Sequence, residues 1–158
     1  MASFFYKSPS LVSSVKSAQS AQSAQSTGSG NVIIQGIKHL IQPLSFKERF
    51  TFDERKNESE KIRFKFSGRY PIIIEKSSSA KDIPAIDKHK FLVPGEYTFG
   101  QFIAIIRKRL EIPADKAIFI FINNSLVPLF KSMKELYFEY KDEDGFLYCI
   151  YTGESTFG

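Results

Sequence analysis

At 158 residues the chain has room for one domain and a tail, and its 42% hydrophobic content allows a core. No stretch approaches the roughly 18 apolar residues that a membrane-crossing helix needs. Its single cysteine, Cys149, excludes an internal disulfide and a cysteine-based zinc site. The net charge of +5 is not a basic face on the domain: Lys7, Lys16 and Lys38 are the only charged residues before position 46, so the remainder is nearly balanced, which argues against a nucleic-acid binder.

Residues 1–30 are Ser-rich and contain three consecutive Ser-Ala-Gln units, Ser17 to Gln25, followed by Thr27-Gly28-Ser29-Gly30. Such a segment buries too little to offset its chain entropy, which predicts a disordered tail. Its acid-poor, Ser-rich character also resembles a transit peptide. Over residues 32–44, Ile33, Ile34, Ile37, Leu40, Ile41 and Leu44 recur at helical spacing. Two readings stand side by side: an amphipathic helix that touches a membrane or folds back on the domain, and an apolar linker. Residues 1–44 are therefore read as an extension and residues 45–158 as the folded domain.

From Ser45 onward four capping boxes, each a Ser or Thr with Glu or Gln three residues later, mark helix starts: Ser45–Glu48, Thr51–Glu54, Thr98–Gln101 and Ser132–Glu135. They predict a short helix near 46–50, a longer one near 52–66, a main one near 99–110 and a short one near 133–139. In the third, Phe99, Phe102, Ile103, Ile106 and Leu110 form an apolar stripe, and Pro113 bars continuation.

Between the helices, Tyr70–Lys76, Lys90–Pro94, Ala117–Asn123 and Phe146–Thr152 are rich in β-branched and aromatic residues and read as strands. The order β-β-α-β-α-β after residue 68 is the plan of a ubiquitin-like β-grasp, an α+β fold. Ile72-Ile73-Ile74, Ile118 through Ile122 and Phe146 through Tyr151 are apolar at consecutive positions, which predicts a sheet covered on both faces. The 99–110 helix covers one face, leaving the two additional N-terminal helices at 46–66 as the lid for the other.

No side-chain chemistry of a familiar kind is visible. Cys149 lies in a predicted buried strand with no base nearby in sequence, and reads as a structural thiol. His39 and His89 are too far apart to suggest a ligand pair. The run Asp142-Glu143-Asp144-Gly145 lacks the spacing of a calcium loop and reads as a turn. The chain is not expected to be an enzyme, and no cofactor or metal is called for.

Four segments carry a resemblance: Glu60-Lys61-Ile62-Arg63, Lys90-Phe91-Leu92-Val93-Pro94, Ile106-Arg107-Lys108-Arg109-Leu110 and Lys141 through Tyr148. Together they resemble the autophagy-related protein 8 family of ubiquitin-like modifiers, which includes GABARAP and the microtubule-associated protein light chain 3 proteins. The match runs from about Ser45 to the terminal Thr156-Phe157-Gly158, in the family's order. The Ser45-Phe46-Lys47-Glu48-Arg49 start is more similar to the light chain 3 branch.

The resemblance implies conjugation through Gly158 to phosphatidylethanolamine, carried out by activating and conjugating enzymes. It also implies processing and delipidation by a cysteine protease, and residence in the cytoplasm and on the autophagosomal membrane of cytoplasmic vesicles. A terminal Gly has no Cβ, so an extended tail ending in it can thread narrow enzyme tunnels. With Gly158 already last in the sequence, priming is either unnecessary or already done.

The resemblance further implies that the Lys90–Pro94 strand receives aromatic-x-x-aliphatic motifs of cargo receptors and adaptors by strand addition. Glu58, Ile62, Pro71, Lys90, Leu92 and Phe146 would form the pocket for the aromatic. Phe91, Val93, Pro94, Tyr97, Phe102 and Ile105 would form the pocket for the aliphatic. Lys47, Arg69 and Lys88, with Lys90, would meet flanking acids. Phe91 stands where Tyr is common in the family. The rival reading is a β-grasp adaptor that binds short linear motifs and is never conjugated.

Overall fold

The structure is a computed structural model that describes residues 44–154. The predicted tail and all of the 32–44 apolar segment except Leu44 lie outside the described residues, as does Gly158. Four helices and four strands make up the described part: α1 (Phe46–Arg49), α2 (Phe52–Lys65), β1 (Arg69–Lys76), β2 (Lys90–Pro94), α3 (Phe99–Arg109), β3 (Phe119–Ile122), α4 (Met133–Tyr140) and β4 (Leu147–Thr152).

Every helix begins at a predicted capping box, because each box satisfies two otherwise orphaned backbone N–H groups within four residues of chain. At Thr98 the Gln101 N–H donates to the Thr98 hydroxyl at 3.2 Å, and the Thr98 N–H donates to Gln101 Oε1 at 2.9 Å. The boxes at Ser45, Thr51 and Ser132 are closed the same way.

Pro113 is not what ends α3. Glu111 takes a left-handed conformation (φ 52°), and the N–H groups of Glu111 and Ile112 donate back to the carbonyls of Lys108 and Arg107. This double closure satisfies two of the carbonyls that the end of the helix leaves without an intrahelical partner. β3 ends in a comparable device: Asn123 and Asn124 both have positive φ (48° and 59°), which closes a tight turn between Ile122 and Ser125.

The sheet order is β2-β1-β4-β3, with β1 antiparallel to β2, β1 parallel to β4, and β3 antiparallel to β4. Ile72 faces Phe91 on one side and Leu147 on the other. The central strand β1 is thus flanked on both edges, and Ile72, Ile73 and Ile74 are all fully buried. Alternation sends Ile72 and Ile74, with Phe91 and Val93, toward α3 and its Phe99, Phe102 and Ile106. Ile73 and Leu92 face the other way, into a smaller cluster with Phe46, Ile62 and Phe146.

The expectation of a sheet covered on both faces holds for β1 and β2 and fails toward β3. On β4, Ile150 is 42% exposed, and Phe119 and Phe121 of β3 are only half-buried. Phe121 lies opposite Ile150 across the β3–β4 pair. The reason is reach: α2 packs on β1, and the lid meets β4 at Tyr148, two residues before Ile150. The strands themselves are shorter than expected at β3, which spans Phe119–Ile122 rather than 117–123.

Candidate functional site

β2 is an outer strand. β1 is its only strand neighbour among the described residues, so within them its outer edge carries no second strand, the arrangement that strand addition uses. The two sides of β2 carry different surroundings, because successive side chains point to opposite faces.

On the α2 side, five of the six residues expected at the first pocket gather around β2 and the start of β4. Leu92, Ile62 and Phe146 pack in one cluster. Lys90 forms an ion pair with Glu58 of α2, and its ammonium lies 5.4 Å from the centre of the Phe46 ring. Pro71, the sixth, sits opposite Leu92 in the β1–β2 register. Phe46 and Ile73 belong to the same cluster and were not foreseen. Their signal was available: a lone aromatic opening a four-residue helix has nothing to pack on except the sheet.

On the α3 side, Phe91, Val93 and Phe102 are buried to 1% exposure or less, with Tyr97 and Ile105 partly exposed beside them. Phe102 packs edge-on against Phe91 at 6.0 Å between ring centres. These buried residues form the floor of that side, and Ile105 and Tyr97 are what a ligand would touch first. By alternation Pro94 shares the side of Leu92, so the strand separates it from Phe91 and Val93, with which it was grouped.

Next to Ile105 lies a cavity of about 870 Å³ lined by Pro84, Ala85, Asp87, Lys108, Arg109, Leu110 and Glu111 as well. Arg109 and Asp87 are joined across it by a bidentate pair, which holds the Asp87 carboxyl below its ordinary range. None of these other lining residues was anticipated. Only the one-turn spacing of Ile105 and Arg109 on α3 hinted at them.

Of the expected basic rim of Lys47, Arg69 and Lys88, Lys47 is engaged. Lys47 binds Asp142 at 2.5 Å and lies over the Tyr148 ring at 4.5 Å. Burial pushes the Asp142 carboxyl up, but the Lys47 ammonium outweighs it and the net shift is downward. Arg69 stands opposite Pro94 at the far end of β2, with one buried guanidinium nitrogen, Nη1, lacking a hydrogen-bond partner among the described residues.

The expected turn at residues 142–145 is present: Gly145 has φ 83° and its N–H donates to the Asp142 carbonyl at 2.9 Å. It does more than reverse the chain. Asp144 is fully buried, and its carboxylate accepts from Arg55 Nε at 2.6 Å, the Tyr148 hydroxyl at 2.7 Å and the Phe146 N–H at 3.0 Å. Cys149 is buried at 1% exposure, and its thiol is pushed up by that burial.

Comparison with known proteins bears on the family and the fold. The family described as autophagy protein Atg8, ubiquitin-like, matches residues 54–158. The autophagy-related protein 8 of Candida glabrata is 53% identical over 114 residues, covering 72% of this chain and 96% of that protein. That of Schizosaccharomyces pombe is 52% identical over 113 residues, covering 72% and 93%. The crystal structure of Trypanosoma brucei ATG8 superposes with a TM-score of 0.68 at 42% identity, covering 74% of this chain and all of that one.

The chain belongs to the Atg8 family.

Membership gives it a ubiquitin-like autophagy role, and the mixed sheet with its helices is the family's α+β β-grasp. As in a β-grasp generally, the Atg8 domain here places its longest apolar helix, α3, against one face of the sheet. No helix among the described residues is long and apolar enough to cross a membrane. Any stable attachment of this Atg8-family chain to a bilayer through those residues would need another device.

Proposed function

We propose that this Atg8-family chain is a modifier joined through Gly158 to phosphatidylethanolamine, acting in autophagosome formation and gathering cargo receptors through β2. Its partners are the activating and conjugating enzymes that handle Gly158, a processing and delipidating cysteine protease, and receptors bearing an aromatic-x-x-aliphatic motif. It works in the cytoplasm and on the autophagosomal membrane and performs no catalysis of its own.

The observation that carries the docking half of this reading is the position of β2, the end strand of the sheet among the described residues, between two apolar clusters that lie on opposite faces. An extended peptide paired with β2 sends alternate side chains to opposite faces, so residues an odd number of positions apart, as in aromatic-x-x-aliphatic, reach different clusters. Backbone pairing supplies adhesion and the clusters supply selectivity. A short peptide of this kind binds near the micromolar range, about −8 kcal/mol.

The conjugation half rests on family membership and on a side-chain-free residue at position 158. Mass spectrometry of the C-terminal peptide from cells should find Gly158 carrying an ethanolamine lipid, and Gly158→Ala should abolish both that species and membrane puncta. An unmodified Gly158 in cells with active autophagy, together with intact peptide binding, would instead favour the unconjugated adaptor.

A further inference from the structure

The second helix has no apolar stripe. Its buried residues are Arg55, Ser59 and Ile62, one face at i, i+4 and i+7, and two of the three are polar. A helix held on a sheet by a single isoleucine is poorly located by hydrophobic packing, which is non-directional. Polar contacts therefore set its position. Arg55 Nε donates to Asp144 Oδ2 at 2.6 Å, while Arg55 Nη1 donates to the carbonyls of Lys47 at 3.1 Å and Phe50 at 2.6 Å. One guanidinium thus ties α1, α2 and the turn before β4 together. The Ser59 hydroxyl donates to the Asp144 carbonyl, beside the same carboxylate.

We propose that Arg55 is a positioning residue for the first docking pocket, setting its width by clamping α1 and α2 to the Asp144 turn. This rests on the reading of β2 as the docking edge. The pocket's walls come from three elements that Arg55 joins: Phe46 from α1, Glu58 and Ile62 from α2, and Phe146, whose own N–H is held by the Asp144 carboxylate at 3.0 Å. Without the clamp, α2 keeps Ile62 as its one deep apolar anchor, and the Ser59 and Glu58 contacts alone are left to hold the space between Ile62 and Phe146, which is then less tightly fixed. The second pocket is built from β2 and α3, which Arg55 does not touch, so it stays as it is. Charge alone is insufficient. A lysine can meet Asp144, but it lacks the planar fork that reaches two carbonyls as well.

The test uses the full chain and two fluorescent peptides: a short acidic peptide carrying Trp and, three residues later, Leu, and its analogue with Ala replacing Trp. Arg55→Ala should weaken the Trp peptide about tenfold and the Ala analogue less than about twofold, with Arg55→Lys in between. Hydrogen exchange should show residues 46–66 opening at least tenfold faster in Arg55→Ala, with β1 to β4 unchanged. Should Arg55→Ala not fold, Arg55→Lys carries the test with the same ordering at smaller size. Equal weakening of both peptides, no weakening, or unchanged exchange at 46–66 overturns the proposal. If the wild-type chain fails to prefer the Trp peptide, the docking reading itself falls, and faster exchange at 46–66 would leave Arg55 as a clamp of the helices alone.

Discussion

Gly145 and Ser59 touch across the seam between the Asp144 turn and α2. A Cβ built on residue 145 would collide with the Ser59 hydroxyl and lie 3.1 Å from its Cβ. Gly145 also has φ 83°, where any L side chain is strained. Gly145→Ala therefore combines a backbone cost with overpacking, and is expected to destabilise the domain by about 2–4 kcal/mol in urea unfolding. A loss under half a kcal/mol would mean that α2 retreats freely, contrary to the close approach of Ser59 to Gly145.

The capping box of α3 can be weighed by removing its hydroxyl. Thr98→Ala leaves the Gln101 N–H without its side-chain acceptor and should cost about 1 kcal/mol in the same unfolding experiment. Thr98→Ser should be close to neutral, since the oxygen is kept.

Acid sensitivity follows from the other three boxes. The Ser45 hydroxyl holds Glu48 below its ordinary 4.5, the Thr51 backbone N–H does so for Glu54, and the Ser132 hydroxyl for Glu135. The folded state therefore binds fewer protons than the unfolded one as pH approaches 4.5. Their stabilisation is complete at neutral pH and declines as pH falls through about 4.5 toward the lower folded values. The urea midpoint should be flat from pH 7 to about 5 and then drop, and Glu135→Gln should flatten part of that drop. The box at Thr98 already has Gln101 at this position and contributes no such dependence.

Burial makes Cys149 inert. Its thiol is raised far above the usual value, so almost no thiolate forms at pH 8. Maleimide should fail to label the folded protein within hours and should label it fully in denaturant. Labelling of the folded chain at the rate of a free thiol would contradict the buried placement.

Phe102 and Ile105, expected to act together in one pocket, should separate experimentally. Phe102 is fully buried, so Phe102→Ala should cost about 3–5 kcal/mol of stability and report chiefly on folding. Ile105 is partly exposed beside the cavity that includes Arg109. Ile105→Ala should cost less than about 2 kcal/mol while weakening the Trp–Leu peptide several-fold by fluorescence anisotropy.

Much of the candidate site was legible because its outline is local. The stretch from Lys90 to Pro94 announces a strand by composition, and the structure places that strand within the same limits. The floor residues Phe91, Val93 and Phe102 were legible as apolar but not as inaccessible, since depth depends on what α3 and β1 bring over them. The engagement of Lys47 by Asp142, 95 residues away in sequence, could not be read from either position.

The same division runs through the whole protein. A capping box closes within four residues, and alternation in a strand needs only the pleat, so helix starts, strand positions and the β-grasp order were decided by the sequence itself. Which strand ends the described sheet, why Ile150 reaches solvent while Ile73 does not, and why Arg55 is buried beside Asp144 were decided only by the tertiary structure. Each depends on how far a helix extends over strands distant in sequence, and on whether a buried charge finds its counter-charge there. Local propensity carries no information about either.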